Sequence, residues 1–223
     1  MNDFAHDVTG ISALGDDLRR ALYLFVSAQP TPVGREEAAK ALDVPAHQAK
    51  FHLDRLEEAG LLESEYVRIS GRSGPGAGRP AKLYRRSSQE IAVSLPGREY
   101  ELAGELMAQA IDEATGNGTP VAEALSRSAR RRGEQIGAAT VVSGSSLQTA
   151  VRALRGLGYE PRIEGDQVVM ANCPFRALAK DHGRLVCGMN LDLLDGMCDH
   201  VGGLEAVLEP GRGACCVVLK KTA

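Results

Sequence analysis

Only two residues, Asp43 and Val44, stand between a short helical stretch, Gly34 to Leu42, and a longer one, Pro45 to Ala59. Two helices joined by so short a turn carry the helix-turn-helix signature. Pro45 suits a first helical turn and Gly60 suits a helix C-terminus. A preceding helix over residues 15–29 has Leu18, Ala21, Leu22 and Phe25 at three- and four-residue spacing, and Pro30 and Pro32 stop it. After Gly60, LLESEYVRIS and AKLYRRS read as strands around the Gly/Pro-rich tip GRSGPGAGRP. Three helices followed by such a hairpin predict a winged helix-turn-helix.

At 100° per residue, Ala49, Leu53, Leu56 and Gly60 share one stripe of the third helix, which must face the core. His47, Lys50, Phe51 and Asp54 lie opposite, flanked by Gln48 and Arg55. The N-terminal part of such a helix reaches base edges. Gln48 can pair with adenine, Lys50 can contact guanine, and Phe51 can meet a thymine methyl or pack on a neighbouring element. The wing, from Arg68 to Arg86, contains six basic residues (Arg68, Arg72, Arg79, Lys82, Arg85, Arg86) and no acidic one. Such a hairpin suits a phosphate backbone or a minor groove. The predicted DNA-binding set is therefore His47, Gln48, Lys50, Phe51, Arg55, Arg72, Arg79 and Lys82. The alternative for the wing, taken alone, is a solvated charged loop.

Residues 91–97, IAVSLPG, read as a linker between a DNA-binding domain (1–90) and a dimerisation and sensor domain (98–223). Helices are expected over 98–116, 121–138 and 145–156. Leu102, Leu106 and Ala110 line one face of the first and, with the helix after it, are candidates for a dimer interface. Arg127, Arg130, Arg131 and Arg132 in the second read as a solvated face. Strands are expected at Tyr159–Glu164 and Gln167–Ala171 around the turn Gly165-Asp166, then a helical region over 174–202 broken near Gly183. Final strands follow at Ala206–Leu208 and Ala214–Leu219. The fold class is α+β: a winged helix-turn-helix plus a C-terminal α/β sensor domain with a helical dimerisation segment.

All five cysteines, Cys173, Cys187, Cys198, Cys215 and Cys216, fall in the last fifty-one of 223 residues. The N-terminus MNDFAHDVTG has no basic or apolar leader pattern, and no apolar run is long enough to span a membrane. The expected compartment is therefore the cytoplasm, where thiols stay reduced and clustered cysteines point to metal or redox chemistry rather than disulfides. Thirteen, ten and sixteen residues separate Cys173, Cys187, Cys198 and Cys215 in turn, far wider than zinc-ribbon pairs. A site would have to be assembled from a turn, a helix and a strand. Cys215 and Cys216 alternate faces if the last segment is a strand. The bland alternative is core packing, because a free cysteine behaves as a small hydrophobe. Net charge is −3, so DNA binding must rest on the local basic patch and not on the total.

The string FHLDRLEEAGLLESEYVRISGRSGPGAGRPAKLYRRS resembles winged-helix regulators grouped with the ArsR and DeoR types. With NCPFRALAKDHGRLVCGMN and GRGACCVVL, the resemblance extends to the branch containing the SufR-type iron–sulfur repressors, or a sister group of it. It covers most of the chain from about residue 15. The resemblance implies a DNA-binding repressor carrying an iron–sulfur cluster, of the four-iron, four-sulfur kind, on C-terminal cysteines. Cys173, Cys187 and Cys215 best match the essential ligands, with Cys198 first choice as the fourth group. Cys216, His200, His182 or an exogenous thiol remain open, as do zinc and no metal at all.

The partners expected are a double-stranded DNA operator and a second copy of the chain, since one module reads few base pairs and symmetric dimers present two to paired half-sites. Two other readings stand beside the cluster-sensing repressor. One is a regulator binding a small apolar ligand, with the cysteines as core. The other is a thiol redox enzyme, disfavoured because no CxxC, no Ser/His/Asp set and no phosphate-cradling loop is present.

Overall fold

The computed structural model describes residues 4–68, 80–211 and 215–222. The chain divides into two compact units at Val93 and Ser94.

The first unit contains α1 (Phe4–Ala13), α2 (Asp17–Ser27), β1 (Val33–Gly34), α3 (Arg35–Ala41), α4 (Ala46–Glu58), β2 (Leu62–Val67) and β3 (Ala81–Arg86). Asp16 caps α2, its carboxylate accepting the Arg19 backbone N–H at 2.8 Å. The three strands form an antiparallel sheet in the order β1-β3-β2, with Tyr84 of β3 opposite both Val33 and Ser64. The core joins Leu22 and Val26 of α2, Ala38 of α3, Ala49, Leu53 and Leu56 of α4, and Leu62 and Tyr84 of the sheet. The expected inward stripe of the third helix is thus the buried one. The turn between α3 and α4 is closed by Asp43, whose φ of 53° lies in the left-handed region. Gly60 follows α4 with φ of 73°, the residue a helix exit of this kind favours. The wing tip, with Arg72 and Arg79, lies outside the described residues.

α1 lies in a segment for which the sequence predicts no element. It buries Asp7, Gly10 and Ala13 and leaves Phe4, Val8 and Ile11 exposed. The larger side chains therefore face outward, the reverse of an amphipathic helix packed by its apolar stripe.

The second unit contains α5 (Tyr100–Asn117), α6 (Val121–Ala139), α7 (Ser146–Gly156), β4 (Pro161–Glu164), β5 (Gln167–Met170), α8 (Arg176–Asp181), α9 (Gly183–Val201), β6 (Leu204–Leu208) and β7 (Val217–Lys221). Ser145 and Gln148 form a reciprocal capping box at the start of α7. The sheet is antiparallel in the order β4-β5-β7-β6, so the last strand inserts between β5 and β6. Val168 pairs with Leu219, and Leu219 with Ala206.

Helix α9 packs against both α6 and the sheet edge strand β6, and its contact with α6 is made by glycines. A Cβ on Gly133 would lie 1.9 Å from the Leu193 carbonyl oxygen, and one on Gly196 2.2 Å from that of Arg130. No larger residue fits at this backbone spacing. Beside the contact, Arg130 of α6 donates to Asp195 at 2.5 Å and Asp199 at 2.6 Å. Arg127 pairs with Glu113 and Glu123. The arginine run expected to be a solvated face is therefore partly an ion-pairing device between helices.

Leu102, Leu106 and Ala110 are buried within the unit's own core, with α5 packed on α6. This corrects their assignment as a dimer interface: their apolar periodicity reports packing inside one chain. Among the described residues, no helix is long and apolar enough to cross a membrane.

Candidate nucleic-acid interface and thiol cavity

The thiols come together from three elements. Cys173 sits in the turn after β5, Cys187 on the second turn of α9, and Cys215 and Cys216 just before β7. Cys173, Cys187 and Cys216 line one open cavity of about 680 Å³, together with Tyr100, Arg98, Arg176 and Lys180. Cys215 is buried behind it and hydrogen-bonds both Cys173 and Cys216. The Phe175 backbone N–H donates to the Cys173 sulfur and the Val217 N–H to that of Cys215. Backbone amides are therefore available to sulfur at the turn that Cys173 and Pro174 begin.

Cys198 stands apart. It lies eleven residues beyond Cys187 on the same straight element, about 16 Å along the axis at ~1.5 Å per residue. It is buried in the helical core, and burial with the nearby Asp195 and Asp199 pushes its thiol up to about 12. The structure thus does not bring Cys198 to the other four. Cys216 takes the place at the cavity that the sequence assigns to Cys198. The last strand begins at Val217 and not at Ala214, so Cys215 and Cys216 lie outside the strand alternation expected of them; one is buried and one half-buried, and both belong to the same cluster of thiols.

The thiols differ in proton affinity. The hydrogen bond to Cys215 and burial raise Cys173. Cys215 is lowered by its bond with Cys173, but its bond with Cys216 and burial outweigh this and push it up to about 11. A buried polar chain supports Cys215 from the far side. The Tyr159 hydroxyl donates to Asn190 Oδ1, and Asn190 Nδ2 donates to Cys215 Sγ at 3.4 Å. Burial first, then the adjoining sulfurs, raise Tyr159 well above its ordinary value, so it stays a donor. With its oxygen occupied, the Asn190 amide is oriented with its N–H toward sulfur.

Three cations and no carboxylate, among the described residues, line the thiol cavity. Thiolates gathered there would be offset by Arg98, Arg176 and Lys180. Among the described residues, no three His, Cys, Asp or Glu side chains are gathered tightly enough to hold a single metal ion. A polynuclear cluster is larger than one ion and takes thiolates that are farther apart. The donor set, the amide bonds to sulfur and the positive lining fit such a group.

In the first unit, His47, Gln48, Lys50, Phe51 and Arg55 are all exposed on α4. Phe51 is 55% exposed, with the His52 ring edge-on at 5.2 Å between centroids and the Arg55 guanidinium 5.6 Å from the Phe51 centroid. His52, on the buried side, faces Asp16 at 3.7 Å. Lys82 of β3 is not a free phosphate contact. Its ammonium reaches Asp54 at 2.8 Å and also Glu57. Lys50 reaches the other oxygen of Asp54 at 2.6 Å, and the Tyr84 hydroxyl donates to Asp54 at 2.7 Å. Burial by itself would raise Asp54, but these three bonds hold it well below the usual carboxylate range. Burial and Asp54 raise Tyr84. Arg85 pairs with Glu63 at 2.8 Å. The wing carries no acid of its own, but α4 and β2 supply several.

Residues 14–65 match the family model of a helix-turn-helix domain. The match runs from the end of α1 through α2, α3 and α4 into β2, so it speaks for the first unit alone. No match to the chain was found among curated proteins. A helix-turn-helix is a DNA-binding unit, and its second helix, α4 here, is the one that enters the major groove. Around this helix-turn-helix, Asp54 is a polar partner of Lys50 and Lys82 that the predicted set omits, and Tyr84 bonds it in turn. The spacing of Lys50 and Asp54, four residues apart on one helix, is a readable signal for the first. Tyr84 carries none, because its partner is thirty residues away.

Proposed function

We propose that the protein is a transcriptional repressor that binds operator DNA as a homodimer and responds to an iron–sulfur cluster in its second unit. The DNA-binding half rests on one observation: the helix-turn-helix presents His47, Gln48, Lys50, Phe51 and Arg55 to solvent on the N-terminal part and outer face of α4. The sensing half is supported by the gathering of Cys173, Cys187, Cys215 and Cys216 at a basic cavity.

Cys173, Cys187 and Cys216 would face the cluster directly, and Cys215 would join them from the buried side. A cluster held by these thiolates would supply a redox-sensitive group joining the turn after β5, helix α9 and the segment before β7. Arg98, Arg176 and Lys180 would offset its negative charge. Asn190, fixed by Tyr159, donates to the Cys215 sulfur and lowers the electron density there. Signal and reader must be coupled through a change in the spacing or orientation of two DNA-binding units, a coupling of typically about 1–3 kcal/mol.

Anaerobic purification with iron and sulfide analysis, followed by DNA binding with and without the cluster, tests this. Cys173→Ser and Cys187→Ser are expected to lose iron and the difference between the two DNA-binding states. Cys216→Ser is expected to weaken cluster retention, whereas Cys198→Ser retains it. Wild-type protein that reconstitutes no iron, or a Cys173→Ser variant with full iron content, would sink the sensing half.

A further inference from the structure

The two lysines best placed to meet DNA from this helix-turn-helix are already occupied. Lys50, on the outer face of α4, and Lys82, at the base of the wing, both bond the carboxylate of Asp54, one on each oxygen, and Lys82 also bonds Glu57. Tyr84 steadies the arrangement by donating to the oxygen that Lys82 shares. Glu36 and Glu58 border the same pocket, so carboxylates outnumber the cations Arg35, Lys50 and Lys82 there. A carboxylate on the DNA-facing surface repels phosphate and competes with it for each ammonium. For holding the wing to α4, the Tyr84 hydroxyl on a neutral acceptor would suffice.

Resting on the DNA-binding reading above, we infer that Asp54 is a specificity-determining residue that restrains non-specific binding by holding Lys50 and Lys82 away from phosphate. Sequence-independent affinity comes almost wholly from cations that displace counterions. Withholding two of them lowers the affinity for an arbitrary sequence. A correct site, whose base edges bond His47, Gln48 and the released Lys50, recovers what an arbitrary site cannot. The ratio of specific to non-specific binding rises as a result.

The test is fluorescence anisotropy of the full-length protein on a random-sequence duplex of roughly 25 base pairs, across a salt series. Asp54→Asn keeps the size of the side chain and an acceptor for the Tyr84 hydroxyl. It is expected to bind this duplex severalfold more tightly, with a salt slope steeper by about one, at ~0.9 for the freed Lys50, because Glu57 still holds Lys82. Asp54→Asn with Glu57→Gln, which frees Lys82 as well, should steepen the slope by about as much again. Lys82→Met in that double variant should remove the second increment, a coupling that a merely structural Asp54 would not produce. Tyr84→Phe, which removes a hydroxyl and no charge, should leave the slope as in the wild type. Wild type and Asp54→Asn binding with equal affinity and slope would overturn the inference alone. Neither protein binding duplex at low salt would overturn the DNA-binding reading, and the inference with it.

Discussion

Asp43 sits where the chain has least freedom. Its left-handed backbone lets α3 turn into α4 across so few residues, and aspartate is one of the few side chains that visits this region at small cost. Asp43→Val should destabilise the first unit by about 1–2 kcal/mol, the cost of forcing a branched residue into that conformation. Asp43→Gly should be nearly neutral, and urea unfolding followed by circular dichroism separates the two. Equal stability of both variants would show that the turn relaxes to another conformation. The thiols teach a different lesson at the same scale. The sequence shows five cysteines in one segment, but not which four converge, because the answer depends on α9 being straight over nineteen residues. Cys198 shares nearly the same face as Cys187, yet three turns away. Asn190 and Tyr159 have no sequence signal at all, since a buried pair thirty-one residues apart is defined only by the packed core.

At the scale of elements, periodicity located the helices of both units well, because each buries a regular apolar stripe. It misled where the stripe had another partner. Leu102, Leu106 and Ala110 are packed on α6 and are unavailable to a second chain. α1 escaped notice for the opposite reason: its buried side is Asp7, Gly10 and Ala13, and its large apolar residues face solvent. Pairing of the last strands as β5-β7-β6 was also beyond reach, because strand order depends on contacts far apart in the chain. The contact of α6 with α9 leads to a sharp expectation. Gly196→Ala should cost about 1–3 kcal/mol, since its Cβ would sit against the Arg130 carbonyl and the helices must separate. Gly188→Ala, on the same helix with open space around it, should stabilise by ~0.5–1 kcal/mol through helix propensity. Thermal unfolding of the two variants measures both; a Gly196→Ala protein as stable as wild type would mean that the helices adjust without loss.

For the molecule as a whole, the proposed mode of action requires two copies. Light scattering of the full chain, free and on operator DNA, is expected to give a dimer; a monomer in both conditions would refute that requirement. The interface must lie elsewhere than on the buried stripe of α5. The glycine contact also has a mechanical meaning. Where two backbones touch, neither helix can slide along the other, because the residues on either side carry side chains. Of the movements open to α9 against α6, tilt about that contact is the one the glycines do not block. Cys187 stands roughly 13 Å from Gly196 along the axis, at ~1.5 Å per residue, so the thiol end is the long arm of a lever. Whatever fastens Cys187 sets the angle of the whole rod, and a small rotation at the pivot becomes a large displacement at the sulfur.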